Sequence, residues 1–356
     1  MKLIALKDVC KINMGQSPNS SSYNDYGDGM PFFQGNADFG ERYPITRVWC
    51  NTPTKIAQAE DILISVRAPI GALNYAKEEC CIGRGLAAIT PDRNKVSQDF
   101  IYWALKGKKA ELNDKGNGST FKAISRKILE ETMIPDINFE QQHKCAENLE
   151  KIYGIIQNRR KELLALDDLI KARFVEMFDG KYPEDTLLNL CNIIDYRGKT
   201  PKKVERGLPF ITAKNVKMHH MTLEPLEYIS KETYDKVMVR GFPKEGDVVF
   251  TTEAPLGNVC RIPHFNTEFY IGQRIVTMQT EELNPTYLEY ALSAEEFIRK
   301  YMGNSSGSTV IGIRVRLLEQ LTIQVPPRGL QDEFAIFVEQ VDKSKLMFQK
   351  LHQKLN

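Results

Sequence analysis

The chain is written twice. LKDVCKINMGQSP (Leu6–Pro18) is answered by LLNLCNIIDYRGKTP (Leu187–Pro201), and GMPFFQGNADF (Gly29–Phe39) by GLPFITAKNVK (Gly207–Lys217). AEDILISVRAPIG (Ala59–Gly71) corresponds to EGDVVFTTEAPLG (Glu245–Gly257), and CIGRGLAAI (Cys81–Ile89) to YIGQRIVTM (Tyr270–Met278). DFIYWALKG (Asp99–Gly107) pairs with TYLEYALSA (Thr286–Ala294), GNGSTFKAI (Gly116–Ile124) with SSGSTVIGI (Ser305–Ile313), and IPDINFEQQ (Ile134–Gln142) with VPPRGLQDE (Val325–Glu333). The blocks keep one order, at offsets drifting between about 178 and 191. Such self-similarity means two folding units on one plan, so whatever one half does should have a counterpart in the other.

Within each half the local signals agree. The apolar runs Ile62–Val66 and Val248–Phe250 read as buried strands, each leading into an Ala-Pro-x-Gly turn. The Asp99 and Thr286 blocks have helical spacing, the second with Asn284 as N-cap and Pro285 at the first helical position.

After each repeat the period changes to that of a long helix. From Gln141 to Phe178 there is no proline and one glycine, Gly154. Apolar residues recur in a 4-3 pattern at Cys145, Leu149, Ile152, Ile156, Leu163, Leu166, Ile170 and Met177, with Arg159 and Arg173 filling the remaining seam positions. The second helix begins near Gln331 and carries Phe334, Val338, Val341, Phe348 and Leu355, with Lys345 and His352 at polar seam positions. A narrow apolar seam needs a partner helix, and the nearest one is the other seam. The expected fold is therefore α+β: two similar α/β globular domains, 1–138 and 181–327, separated by two long antiparallel coiled-coil helices, 139–180 and 328–356. The domains should stand at opposite ends of the rod, related by a pseudo-twofold axis.

A length of 356 residues suits two domains, and 42% hydrophobic with 26% charged residues is a globular composition. The net charge of +2 excludes a histone-like polycation but leaves room for a local basic face. Seven cysteines in no framework spacing fit a reducing cytoplasm and read as small buried hydrophobes. No apolar run approaches the roughly 18 residues of a membrane span. The opening MKLIALKDVCKI, with Lys2, Lys7 and Asp8, does not read as a signal peptide. A cytoplasmic protein without membrane contact is expected.

The order domain, helix, domain, helix, with LDDLIKARFVEMFDG (Leu166–Gly180), FVEQVDKSK (Phe337–Lys345) and an APxG and a GST turn in each half, resembles the specificity subunit of type I restriction-modification enzymes. The resemblance covers essentially the whole chain. It implies a non-catalytic subunit with no cofactor, whose two target recognition domains each read one half of a split sequence in double-stranded DNA. It further implies that the helices dock methyltransferase subunits, with restriction/translocase subunits joining through the complex. The chain departs from the family pattern where the second helix stops at Asn356, before any counterpart of DDLIKARFVEMF, so a shortened second helix is expected.

Catalytic signatures are missing from the sequence. RGKTP at Arg197 imitates the end of a phosphate-binding loop, but Ile193 stands where that loop needs its first glycine. No glycine-rich loop for S-adenosylmethionine and no Asn-Pro-Pro-aromatic motif is found. His219 and His220 are adjacent, which does not make a metal pair, and no metal is expected.

Phosphate contacts need cations, hydroxyls and turn N–H groups; base edges need Arg, Lys, Gln or Asn on rigid elements. In the first domain the candidates are Gln34, Asn36, Arg67 and Arg84. In the second they are Thr212, Lys214 and Asn215, with Gln273 and Arg274 answering Arg84. The densest basic stretch adds Arg197, Lys199, Lys202 and Lys203. The small residues of the GST turns, Ser119, Thr120, Ser308 and Thr309, would let backbone approach a phosphate, followed at once by Lys122 and Arg314. Leu149, Ile152, Ile156, Leu163, Leu166, Ile170, Phe334, Val338, Val341 and Phe348 are the candidates for helix pairing and subunit docking. Two other readings stay open: the specificity subunit of a type IIB-like bipartite restriction enzyme, and an adaptor whose repeated domains bind protein instead of DNA.

Overall fold

The computed structural model describes residues 2–116, 122–196, 200–307 and 310–353, the side chains of 347–353 excepted. Unit 1 comprises Met1–Gln157 and unit 2 Asn158–Asn356; the division falls inside a 40-residue helix, Phe139–Phe178.

Both units are built on the same strand plan. In unit 1 an antiparallel sheet runs in the spatial order Cys10–Met14, Leu86–Pro91, Ile62–Ser65, Leu73–Tyr75. In unit 2 the order is Asn192–Asp195, Ile275–Gln279, Val248–Thr251, Val259–Arg261, strand for strand the same. A second element also repeats: Met30–Phe33 lies parallel to Cys80–Ile82, and Leu208–Ile211 lies parallel to Tyr270–Ile271. The units differ at the margins. Unit 1 adds an edge strand, Ile56–Ala57, whereas unit 2 adds the hairpin Val216–Lys217/His220–Met221 and the helix Lys231–Val237.

The central strands are apolar throughout because both of their faces are covered. Alternate side chains go to opposite layers, as the two-residue period of a strand requires. Ile62 and Ile64 pack with Phe100, Ile101 and Leu105 of the helix Gln98–Gly107, while Leu63 packs with Phe33 and Ile82. In unit 2, Val248 and Phe250 face Tyr287 and Leu288 of the helix Pro285–Ser293, and Val249 faces the other layer with Ile211 and Ile271. Each of these fully buried side chains stabilises its unit by roughly 1.5–3 kcal/mol. The expected cap is present: Asn284 Oδ1 accepts from the Thr286 N–H at 2.9 Å, with Pro285 at the first helical position.

The long helix is held differently in each unit. In unit 2 it packs on the second long helix, Arg328–Gln353, with Phe174, Phe178, Tyr287 and Phe334 forming an aromatic cluster. Asp167 meets Lys345 at 2.6 Å and Arg173 meets Glu333 at 3.0 Å, so the paired segments run antiparallel. Burial works against the Lys345 charge, but hydrogen bonds to Asp167 and Asp342 outweigh it and raise its pKa. Ile170, Phe334, Val338 and Val341 are buried in this seam, and Leu166 packs against it.

In unit 1 the helix turns a different face to its domain. Gln142 and Ala146 are buried, Glu150 pairs with Arg42 at 3.4 Å, and Tyr153 packs edge-on against Trp103 with the Lys106 ammonium 3.5 Å over its ring. The seam positions there are not the ones that face the domain. Leu149 and Ile152 remain 42% and 48% exposed, because the stripe turned to the domain is 142, 146 and 153, with the exposed Glu150 reaching Arg42 at its edge. Ile156 and Leu163 are half-buried, and the Phe348 side chain lies outside the described residues. Six cysteines are buried as expected, with burial pushing the Cys10 and Cys80 thiols up to about 12. Cys145 is exposed, which corrects the reading of all seven as buried hydrophobes.

Candidate functional site

In each unit four segments, separated by up to about 100 residues of sequence, are tied together by backbone hydrogen bonds at equivalent places. The loop after Met30–Phe33 receives the Gly83 N–H on the Phe33 carbonyl at 2.8 Å; in unit 2 the Gly272 N–H donates to Ile211 at 2.8 Å. The residue before each Arg/Glu-Ala-Pro turn bonds the third loop, Val66 N–H to Gly85 and Thr252 N–H to Arg274, both at 2.9 Å. The segment after each GST turn then docks on that same residue, Ile124 N–H to Val66 and Ile313 N–H to Thr252, again both at 2.9 Å. Isolated bridges Arg67–Ala123 and Glu253–Gly312 complete the match. The Ala-Pro peptide of each turn, Ala68–Pro69 and Ala254–Pro255, is cis.

These bonds set side-chain equivalence. Arg84 corresponds to Gln273, Gly85 to Arg274, Arg67 to Glu253 and Gln34 to Thr212. Glycine at position 85 has a reason: a Cβ there would lie 2.4 Å from the Gln34 carbonyl oxygen. Lys122 corresponds to Ile311, not to Arg314, which is the N-cap residue of Val315–Leu318.

In unit 1 the predicted residues Gln34, Arg67, Arg84 and Lys122 are exposed on these loops, and Asn36 is half-buried. The Gln34 carboxamide donates to Ser17 Oγ at 2.9 Å, and Ser17 Oγ accepts the Arg84 N–H at 3.2 Å. Among the described residues Arg67, Arg84 and Lys122 make no salt bridge.

Unit 2 gathers five predicted residues, Lys203, Thr212, Lys214, Gln273 and Arg274, around one cleft of about 230 Å³. Phe210 and Ala254 supply apolar wall, and Gln273 Nε2 donates to Thr200 Oγ1 at 3.3 Å. Charges here are paired: Lys203 Nζ with Glu227 at 2.8 Å, and Arg274 Nε with Glu253 at 2.8 Å. Neither carboxylate was singled out from the sequence. The signal was present in the repeat, where SVRAPIG aligned with TTEAPLG reverses a charge at Arg67/Glu253.

Asn215 is corrected. It is 3% exposed, and its Oδ1 accepts from the Thr212 N–H and Oγ1 at 3.0 and 2.9 Å. Its Nδ2 donates to the Thr222 and Pro225 carbonyls at 3.0 and 3.2 Å. With its hydrogen-bonding groups engaged inside the loop, it shapes the site without facing a ligand. Asp38 does the same in unit 1, accepting the Gln34 N–H at 2.8 Å. Lys202 is exposed but lies off the cleft. Ser119, Thr120, Arg197, Lys199, Ser308 and Thr309 lie outside the described residues. His219 Nδ1 bonds the buried Glu289 at 2.9 Å and its ring stacks on Tyr290, so it is committed to packing. Among the described residues no group of three or more His, Cys, Asp and Glu side chains is placed to hold a metal ion. Nor is any helix among them long and apolar enough to cross a membrane.

Comparison with known proteins gives a consistent picture. The chain is 47% identical over 171 residues to the putative type I restriction enzyme MjaX specificity subunit of Methanocaldococcus jannaschii; the match covers 48% of this chain and 40% of that protein. It is 21% identical to the type I restriction enzyme MjaIX specificity subunit of the same organism, over 94% of this chain and 85% of the relative. In fold it matches the crystal structure of a type I restriction-modification system S subunit from M. genitalium with a TM-score of 0.56 at 15% identity, over 99% of this chain and 92% of the other. Residues 1–166 and 184–356 match the family model described as the type I restriction modification DNA specificity domain, and the chain belongs to that family.

Proposed function

We propose that this chain is the DNA-recognition subunit of a bipartite restriction-modification complex, each unit reading one half of a split site in double-stranded DNA. The observation that carries this is the duplicated loop cluster: two faces with equivalent backbone bonds and different side chains, which suits two short sequences of different content. Domains 1–138 and 181–327 are the two heads in this reading. The helices 139–180 and 328–356 pair as an antiparallel coiled coil and set the gap between half-sites, as dimer geometry sets half-site spacing in other DNA readers. Methyltransferase subunits dock on the helices, restriction/translocase subunits join through them, and chemistry belongs to those partners.

Methylome sequencing of a host carrying this gene with its methyltransferase partner tests the reading. The expected motif is two short half-sites around a fixed nonspecific gap. A continuous motif, or none, would overturn it.

A further inference from the structure

The two faces share a backbone but not an ion-pair plan. In unit 2, Arg274 stands where unit 1 has Gly85, and Glu253 stands where unit 1 has Arg67. Glu253 Oε1 lies 2.8 Å from Arg274 Nε as an ion pair on that side of the guanidinium, and among the described residues the two Nη groups make no hydrogen bond. Arg274 lines the cleft beside Gln273, Thr212 and Lys214. Glu253 is itself anchored: its backbone bridges Gly312, and a Cβ at that glycine would lie 3.1 Å from the Glu253 Cβ.

This pair adds little to folding. The side chains are 53% and 43% exposed, and ion pairs at such sites contribute little in water while ordering two long side chains. A lone exposed arginine would serve as a mobile phosphate ligand. An arginine ion-paired on its Nε side keeps its two Nη donors for a ligand, and that fork matches the O6 and N7 acceptors of guanine in the major groove. A carboxylate beside it also disfavours the approach of a phosphate.

We infer that Arg274 is a base-reading residue of unit 2 directed at guanine, and that Glu253 is its positioning residue, a device unit 1 does not have. This rests on the proposed DNA-recognition role and names the chemistry at one position of it.

The test is selection from a random-sequence duplex pool by the full chain, followed by sequencing, for wild type, Arg274→Lys and Glu253→Gln. Wild type should select a guanine at one position of the unit 2 half-site. Arg274→Lys cannot make the bidentate pair and should lose about tenfold or more of the discrimination at that position. Glu253→Gln should relax the same position, leave the unit 1 half-site intact and bind random duplex more tightly. Its salt dependence should steepen by about 0.9 in slope as one cation becomes available to phosphate. A unit 2 half-site without guanine overturns the inference, as does an Arg274→Lys loss spread evenly over all sequences or an unchanged preference in Glu253→Gln. If wild type selects no sequence at all, the DNA-recognition reading itself fails, whatever the variants do.

Discussion

The loop faces of unit 1 and unit 2 agree in their tying hydrogen bonds and disagree in almost every charge. Unit 1 presents Arg67, Arg84 and Lys122 without salt bridges among the described residues. Unit 2 presents Lys203 and Arg274 already paired with Glu227 and Glu253. Where unit 2 places Lys203 and Glu227, the equivalent strands of unit 1 carry Tyr23 and Val48, packed against Phe32. The difference teaches that the frame and the rim side chains are separable. Backbone bonds among four segments hold the frame, and side chains at its rim vary without disturbing it.

The comparison extends to how the units are mounted on the long helix, and there the largest effect is expected. Phe334 is fully buried among Phe174, Phe178 and Tyr290. Phe334→Ala should destabilise unit 2 by about 3–5 kcal/mol in denaturant unfolding. Trp103→Ala in unit 1 removes a half-buried ring and a cation–π contact with Lys106, and should cost less, about 2 kcal/mol. Equal losses would show that the two mounts are energetically alike despite their different chemistry.

A middle-sized effect separates frame from reader. Asn215→Ala strips four hydrogen bonds from a buried loop and should cost about 1–3 kcal/mol of stability. Asn36→Ala, in the matching loop of unit 1, should leave thermal stability within about 0.5 kcal/mol and act on DNA affinity instead. If both behave alike, the frame and the reading residues are not distinct.

The smallest effect tests the charges directly. Arg67→Ala should weaken binding to random-sequence duplex about fivefold and lower its salt slope by about 0.9, since a free cation contacts phosphate. Lys203→Ala should change the same affinity by less than about twofold, because Glu227 already holds that charge. A salt series by fluorescence anisotropy decides it, and identical slopes for the two variants would erase the contrast between the faces.

Sequence alone determined the duplication, the strands ending in Ala-Pro-x-Gly, the Asn284 cap and the continuity of the long helix. These are legible because repeats align residue by residue and because strand and helix periods are properties of short windows. It also named five residues that meet at the unit 2 cleft: Thr212, Lys214, Gln273 and Arg274 because polar side chains flanking buried strands in both copies stand out by alignment, and Lys203 because it lies in the densest basic stretch. Tertiary structure decided the rest. Which stripe of the helix is covered depends on the domain packed against it, so Leu149 and Ile152 carried a seam-like period and yet stay exposed in unit 1. Asn215 and Asn36 look alike in sequence, but the local loop hydrogen bonds turn one of them inward. Glu253 meets Arg274 across 21 positions only because the Thr252 N–H ties one loop to the next. Burial and ion pairing are decided by neighbours brought together in space, and no window of sequence contains them.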